Sequence, residues 1–139
     1  MKILVIEDSR FLRVAIERVL RKAGYEVFGV ADGREGLSAA RSDPPALILL
    51  DMMLPGIDGT AVLKALKLDP LTAQIPVIVL TGLSQKNEEK LKGAGAFAYI
   101  EKSSLDLGQN SDALVNSVEN VIGKPPILVG TGATPEREL

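Results

Sequence analysis

The chain has 139 residues, 46% of them hydrophobic, which suits one domain with an ordinary core. A net charge of -2 and a pI near 5.2 leave no basic footprint for nucleic acid or an anionic membrane. With no histidine and no cysteine, imidazole chemistry, thiolate metal sites and disulfides are excluded, so any site is built from carboxylates, hydroxyls and lysine.

No apolar run approaches the roughly 20 residues that span a bilayer. Met1-Lys2 leads straight into the first apolar stretch, too short for the apolar region of a signal peptide. A cytoplasmic location is the expectation. Residues 3–6 form the first predicted strand, with Glu7-Asp8-Ser9 as loop and helix cap. From 10 to 23, Leu12, Ala15, Ile16, Val19, Leu20 and Ala23 recur at helical spacing, with Arg13, Glu17, Arg18 and Arg21 on the opposite side. Gly24 suits the position after a helix. A strand over 26–31 and a helix from Asp32-Gly33 to about Ser42 follow. Ala46-Leu47-Ile48-Leu49-Leu50, bounded by Pro44-Pro45, reads as a strand buried on both faces and ends at Asp51. Asp58 and Gly59 read as turn and cap for a helix over 59–68, which Asp69-Pro70 stops. A strand over 77–80 precedes Thr81-Gly82, and a charged helix over 85–92 ends at Gly93. The fifth strand spans 97–100, before Glu101-Lys102. A last helix spans 111–122, with Ala113, Leu114, Val118, Val121 and Ile122 as its inner face.

Five strands alternating with five helices imply a doubly wound α/β fold with a parallel sheet covered on both faces. In that fold the carboxyl ends of the strands share one edge, where ligands bind. Glu7, Asp8, Asp51, Thr81 and Lys102 all fall on that edge and should converge. Three carboxylates brought together repel unless a cation lies among them. Their oxygens suit Mg²⁺, with Mn²⁺ as an alternative. Lys102 is a point charge for a phosphate oxygen, Thr81 a hydroxyl donor, and a remaining carboxylate a nucleophile toward phosphorus.

Together, Glu7-Asp8, the block from Asp51 through Met52-Met53-Leu54-Pro55-Gly56-Ile57-Asp58-Gly59, Thr81 before Gly82, and Tyr99-Ile100-Glu101-Lys102 resemble a response-regulator receiver domain of two-component signalling. The resemblance covers about 2–123 and implies a flavodoxin-like (βα)5 sheet of order 2-1-3-4-5. It implies that Asp51 is the phosphoacceptor, and that Asp8, Asp51 and the Met53 carbonyl bind Mg²⁺ while Glu7 acts through water. Thr81 and Lys102 would contact phosphoryl oxygens, and Thr81 and Tyr99 would switch the surface formed by 85–92, 97–100 and 111–122. The phosphoryl donor would be a sensor histidine kinase, a phosphotransfer protein or a small acyl phosphate. Because the chain lacks histidine, a phosphohistidine donor must be another protein. Such a domain is not an enzyme beyond its own phosphorylation and dephosphorylation. By the same resemblance, Met53 and Leu83 line the approach of hydrolytic water.

The family usually has proline after the lysine, where this chain has Ser103. A cis bond to a non-proline costs about 2.5–4 kcal/mol, so a trans Lys102–Ser103 bond and a rearranged loop are expected. The stretch 103–110 is long and polar, and 111–122 carries Asp112 and Glu119 but no basic residue. Residues 1–123 read as the receiver and 124–139 as tail or linker, broken by Pro125-Pro126. Two rival functions are a phosphorylation-independent interaction module and an aspartate-nucleophile phosphatase. The latter chemistry normally has a second acid where this chain has Met53.

Overall fold

A computed structural model describes residues 1–54, 56–82, 92–105 and 111–126. The elements are β1 (Lys2–Ile6), α1 (Arg10–Lys22), β2 (Glu26–Val30), α2 (Gly33–Ser42), β3 (Leu47–Asp51), α3 (Gly59–Leu68), β4 (Val77–Thr81), β5 (Ala98–Glu101) and α4 (Asp112–Ile122). All strands are parallel, in the order β2-β1-β3-β4-β5. This is the expected flavodoxin-like sheet.

Strand alternation divides the core in two. Leu47 and Leu49 face one side, with Ile16, Val19 and Leu20 of α1 and Leu114 and Val118 of α4. Ile48 and Leu50 face the other, with Ala40 of α2 and Val62, Leu63 and Leu66 of α3. Both faces of β3 and β4 are buried throughout, as their unbroken apolar runs require. Each fully buried Leu or Ile contributes about 1.5–3 kcal/mol, which holds β3 and its terminal acid rigidly at the sheet centre.

Helix starts follow the side-chain caps. Ser9 accepts the Leu12 N–H at 3.2 Å, Asp32 that of Glu35 at 2.8 Å and Asp58 that of Ala61 at 2.9 Å. The residue after Asp58 must be small. A Cβ at Gly59 would stand 2.5 Å from the Met52 Cα and 2.7 Å from the Asp51 carbonyl oxygen, so glycine lets α3 begin against the loop after β3.

Some boundaries and faces differ from the sequence reading. β2 stops at Val30, β4 extends to include Thr81, and β5 runs Ala98–Glu101, one residue later than expected. Register sets these ends, because Thr81 pairs with Glu101. In α4 the buried line is Leu114 and Val118, flanked by Val115, Val121 and Ile122, while the expected inner residue Ala113 is exposed. At 100° per residue Ala113 turns away from that line. Arg13 and Glu17, expected in solvent, are half-buried. Most of the predicted helix over 85–92 lies outside the described residues, as do 106–110 and 127–139. Among the described residues no helix is long and apolar enough to cross a membrane.

Candidate functional site: an acidic group at the carboxyl edge of the sheet

β1, β3, β4 and β5 bring Glu7-Asp8, Asp51, Thr81 and Lys102 to one edge. Glu7, Asp8 and Asp51 each offer a carboxylate oxygen, and these atoms lie within 4.8 Å of one another. Glu7 and Asp51 are fully buried, whereas Asp8 is exposed at the rim. Glu7 follows the last paired residue of β1, and its N–H donates to Val30 O at 3.1 Å. Its carboxylate Oε2 accepts the Ser9 N–H at 3.1 Å.

Asp51 is clamped on one oxygen and open on the other. Oδ1 accepts the Met53 N–H at 3.0 Å and lies 3.0 Å from Lys102 Nζ. Oδ2 is buried with no hydrogen-bond partner, and so is Oε1 of Glu7. Lys102 Nζ is 3.3 Å from that Oε1, close enough for attraction without closing a hydrogen bond. Two buried oxygens without a hydrogen bond are costly in a dry site. They fit a hard cation that takes oxygen ligands.

The electrostatics follow from burial. Desolvation first, then contact with Asp51, pushes the Glu7 carboxyl from 4.5 to about 7, against the pull of the Ser9 N–H and Lys102. For Lys102, burial acts downward, but Asp51 and then Glu7 outweigh it and raise the ammonium pKa. The lysine is therefore a fixed positive charge between two buried acids.

Thr81, the last residue of β4, is buried beside this group. Tyr99 is half-buried in β5, next to an open hollow of about 300 Å³ that it lines with Ile100, Glu101, Ser104, Ala113 and Ser117. Met53 is 72% exposed, so its side chain is in solvent rather than in the core. Leu83 lies outside the described residues. The Lys102–Ser103 bond is trans, and Lys102–Ser104 forms a 3₁₀ turn. Ser104 Oγ donates to Glu101 O at 2.7 Å, and the Leu105 N–H donates to Lys102 O at 3.1 Å. With no proline at 103, these two bonds shape the loop. The sequence reading missed Arg13, whose Nη1 donates to the Glu7 carbonyl at 2.8 Å. The available signal was the spacing of Arg13, Glu17 and Arg21 on one helix stripe, opposite a glycine in β2.

A flavodoxin-like sheet with three acids, a threonine and a lysine on its carboxyl edge defines a receiver-type domain. The chain belongs to the response regulator receiver domain family, whose profile matches residues 3–115. It is 41% identical over 104 residues to the transcriptional regulatory protein HprR of Escherichia coli, covering 73% of this chain and 45% of that protein. It is 32% identical over 114 residues to sporulation initiation phosphotransferase F of Bacillus subtilis, covering 81% of this chain and 90% of that protein. The receiver domain of the sensor histidine kinase PA1611 from Pseudomonas aeruginosa superposes with a TM-score of 0.75 at 30% identity, covering 88% of this chain and 98% of that one. The chain thus spans less than half of HprR but most of the other two.

Proposed function

We propose that this receiver accepts a phosphoryl group on Asp51 in a Mg²⁺-dependent reaction, from a sensor histidine kinase, a phosphotransfer protein or a small acyl phosphate. The observation that carries the reading is the pair of buried carboxylate oxygens that lack a hydrogen-bond partner, Asp51 Oδ2 and Glu7 Oε1, beside a lysine 3.0 Å from Asp51 Oδ1 and 3.3 Å from Glu7 Oε1. Asp8, Asp51 and the Met53 carbonyl would hold the ion, with Glu7 acting through water. Support comes from the PA1611 receiver, whose structure has a magnesium ion coordinated in its active site cleft. When bound, Mg²⁺ supplies positive charge that lets the acids stay ionised together and offsets charge on the incoming phosphoryl oxygens.

The residues of the chain then have separate tasks. A carboxylate oxygen of Asp51 forms the new bond to phosphorus while the bond to the donor nitrogen, or to the acyl oxygen, breaks and its electrons leave with the donor. Lys102 neutralises charge that develops on the phosphoryl oxygens. Burial of Asp51 at the end of a rigid strand holds the nucleophile in place and keeps bulk water off its oxygens. The Thr81 hydroxyl donates to a phosphoryl oxygen, and its displacement makes room for the Tyr99 ring.

Acetyl phosphate with Mg²⁺ should add one phosphoryl group per chain, read by intact-protein mass spectrometry. EDTA or Asp51→Asn should abolish the gain. Undiminished phosphorylation of Asp51→Asn would overturn the assignment. Thr81→Ala should still accept phosphate but lose most of the accompanying NMR shifts over Ala98–Glu101, because a ligand moves an equilibrium only by its differential affinity for the two states. Full shifts in that variant would break the coupling.

A further inference from the structure

α1 carries a stripe of charge along β2, in which Arg13 and Glu17 are half-buried and Arg21 is exposed. Arg13, Glu17 and Arg21 stand four residues apart and so share one helix face. Arg21 Nη2 donates to Val27 O at 2.9 Å, and Arg13 Nη1 donates to Glu7 O at 2.8 Å. Gly29 makes the space for this stripe. A Cβ there would stand 1.8 Å from Glu17 Oε2 and 3.0 Å from Arg13 Cδ.

The Glu7 carbonyl lies just past the paired stretch of β1, whose register ends at Ile6. It needs a partner that the ladder does not provide at that point, and Arg13 provides one. The peptide unit that carries this carbonyl also carries the Asp8 N–H in the same plane. Fixing the carbonyl therefore fixes the direction in which the chain enters Asp8. The Glu7 side chain is tied separately by the Ser9 N–H.

We infer that Arg13 is a positioning residue for the acidic group: it holds the Glu7–Asp8 peptide so that both carboxylates turn toward Asp51. This inference rests on the metal-binding reading above. Charge and position predict opposite signs. If Arg13 were merely a nearby cation, removing it would tighten Mg²⁺ binding, because like charges repel. As a positioning residue, its removal must weaken binding.

Mg²⁺ titration of the whole chain by calorimetry separates the two. Arg13→Met should raise the Mg²⁺ dissociation constant about tenfold, the lower range for loss of an outer-shell partner. Arg13→Lys keeps a donor and a charge and should recover most of the affinity. Gly29→Val should reproduce the loss without altering any charge, by displacing the Glu17 and Arg13 side chains, and it carries the test if Arg13→Met does not fold. Affinity in Arg13→Met equal to or tighter than wild type overturns the inference, as does a lysine variant no better than methionine. A wild type that binds no Mg²⁺ overturns the metal reading and this inference with it, whereas wild-type binding with an unaffected Arg13→Met overturns the positioning role alone.

Discussion

Without divalent cations, the contribution of Glu7 to stability should fall as the pH rises from 4.5 to about 7. The folded-state pKa of Glu7 is raised, mainly by burial and then by Asp51. Below pH 4.5 the carboxyl is protonated in the folded and unfolded chains alike, and the Glu7 contribution is fully present. Between 4.5 and about 7 only the folded chain retains the proton, so each step upward in pH favours unfolding. Above about 7 the contribution is gone, and the folded chain holds a buried anion beside Asp51. Urea unfolding across this range in EDTA reads the slope directly. Glu7→Gln, similar in shape and uncharged, should flatten it. Saturating Mg²⁺ should flatten it too, because a cation near the acids favours their ionised forms. A slope unchanged in Glu7→Gln would show that another group produces it.

Phosphorylated protein should also lose its phosphoryl group slowly, compared with receivers that have polar residues at the mouth of the site. Hydrolysis requires a water in line behind phosphorus, and a side chain that hydrogen-bonds such a water lowers the barrier. The two positions that line this approach by resemblance are Met53 and Leu83, neither of which can hold a water. Met53 is 72% exposed and its own N–H is bonded to Asp51 Oδ1, so its backbone is held against the carboxylate while its side chain is in solvent. Met53→Asn and Leu83→Glu together should speed decay about tenfold, equivalent to ~1.4 kcal/mol off the barrier. Decay of the phosphorylated mass after removal of acetyl phosphate measures this. If neither substitution accelerates decay, the side chains do not gate the water.

Much of the architecture was legible in local pattern. Short apolar runs closed by proline, glycine or an acid mark strands buried on both faces, and β3 and β4 are such strands. Asp32 and Asp58 were readable as helix starts because a short carboxylate satisfies free N–H groups three residues on. The gathering of Glu7, Asp8, Asp51, Thr81 and Lys102 follows from one rule, that parallel strands end on the same edge. Ala113 was misplaced because a small apolar residue fits either side of a helix, and only packing against the sheet sets the phase of α4.

What the sequence by itself determined is the set of elements and the kinds of side chain at their ends, since both depend on neighbours within a few residues. Only the tertiary structure decided which oxygen of Asp51 meets Lys102 and which stays without a partner, because that depends on β3 and β5 standing on either side of β4. It also decided the role of Arg13. On a helical wheel Arg13 belongs to the polar face, yet the crossing of α1 over β2, at a glycine, turns it inward to the carbonyl of Glu7. The direction of a long side chain depends on what lies opposite it, and here that is set by how β1 and β2, the strands on either side of α1 in the chain, pack against the helix.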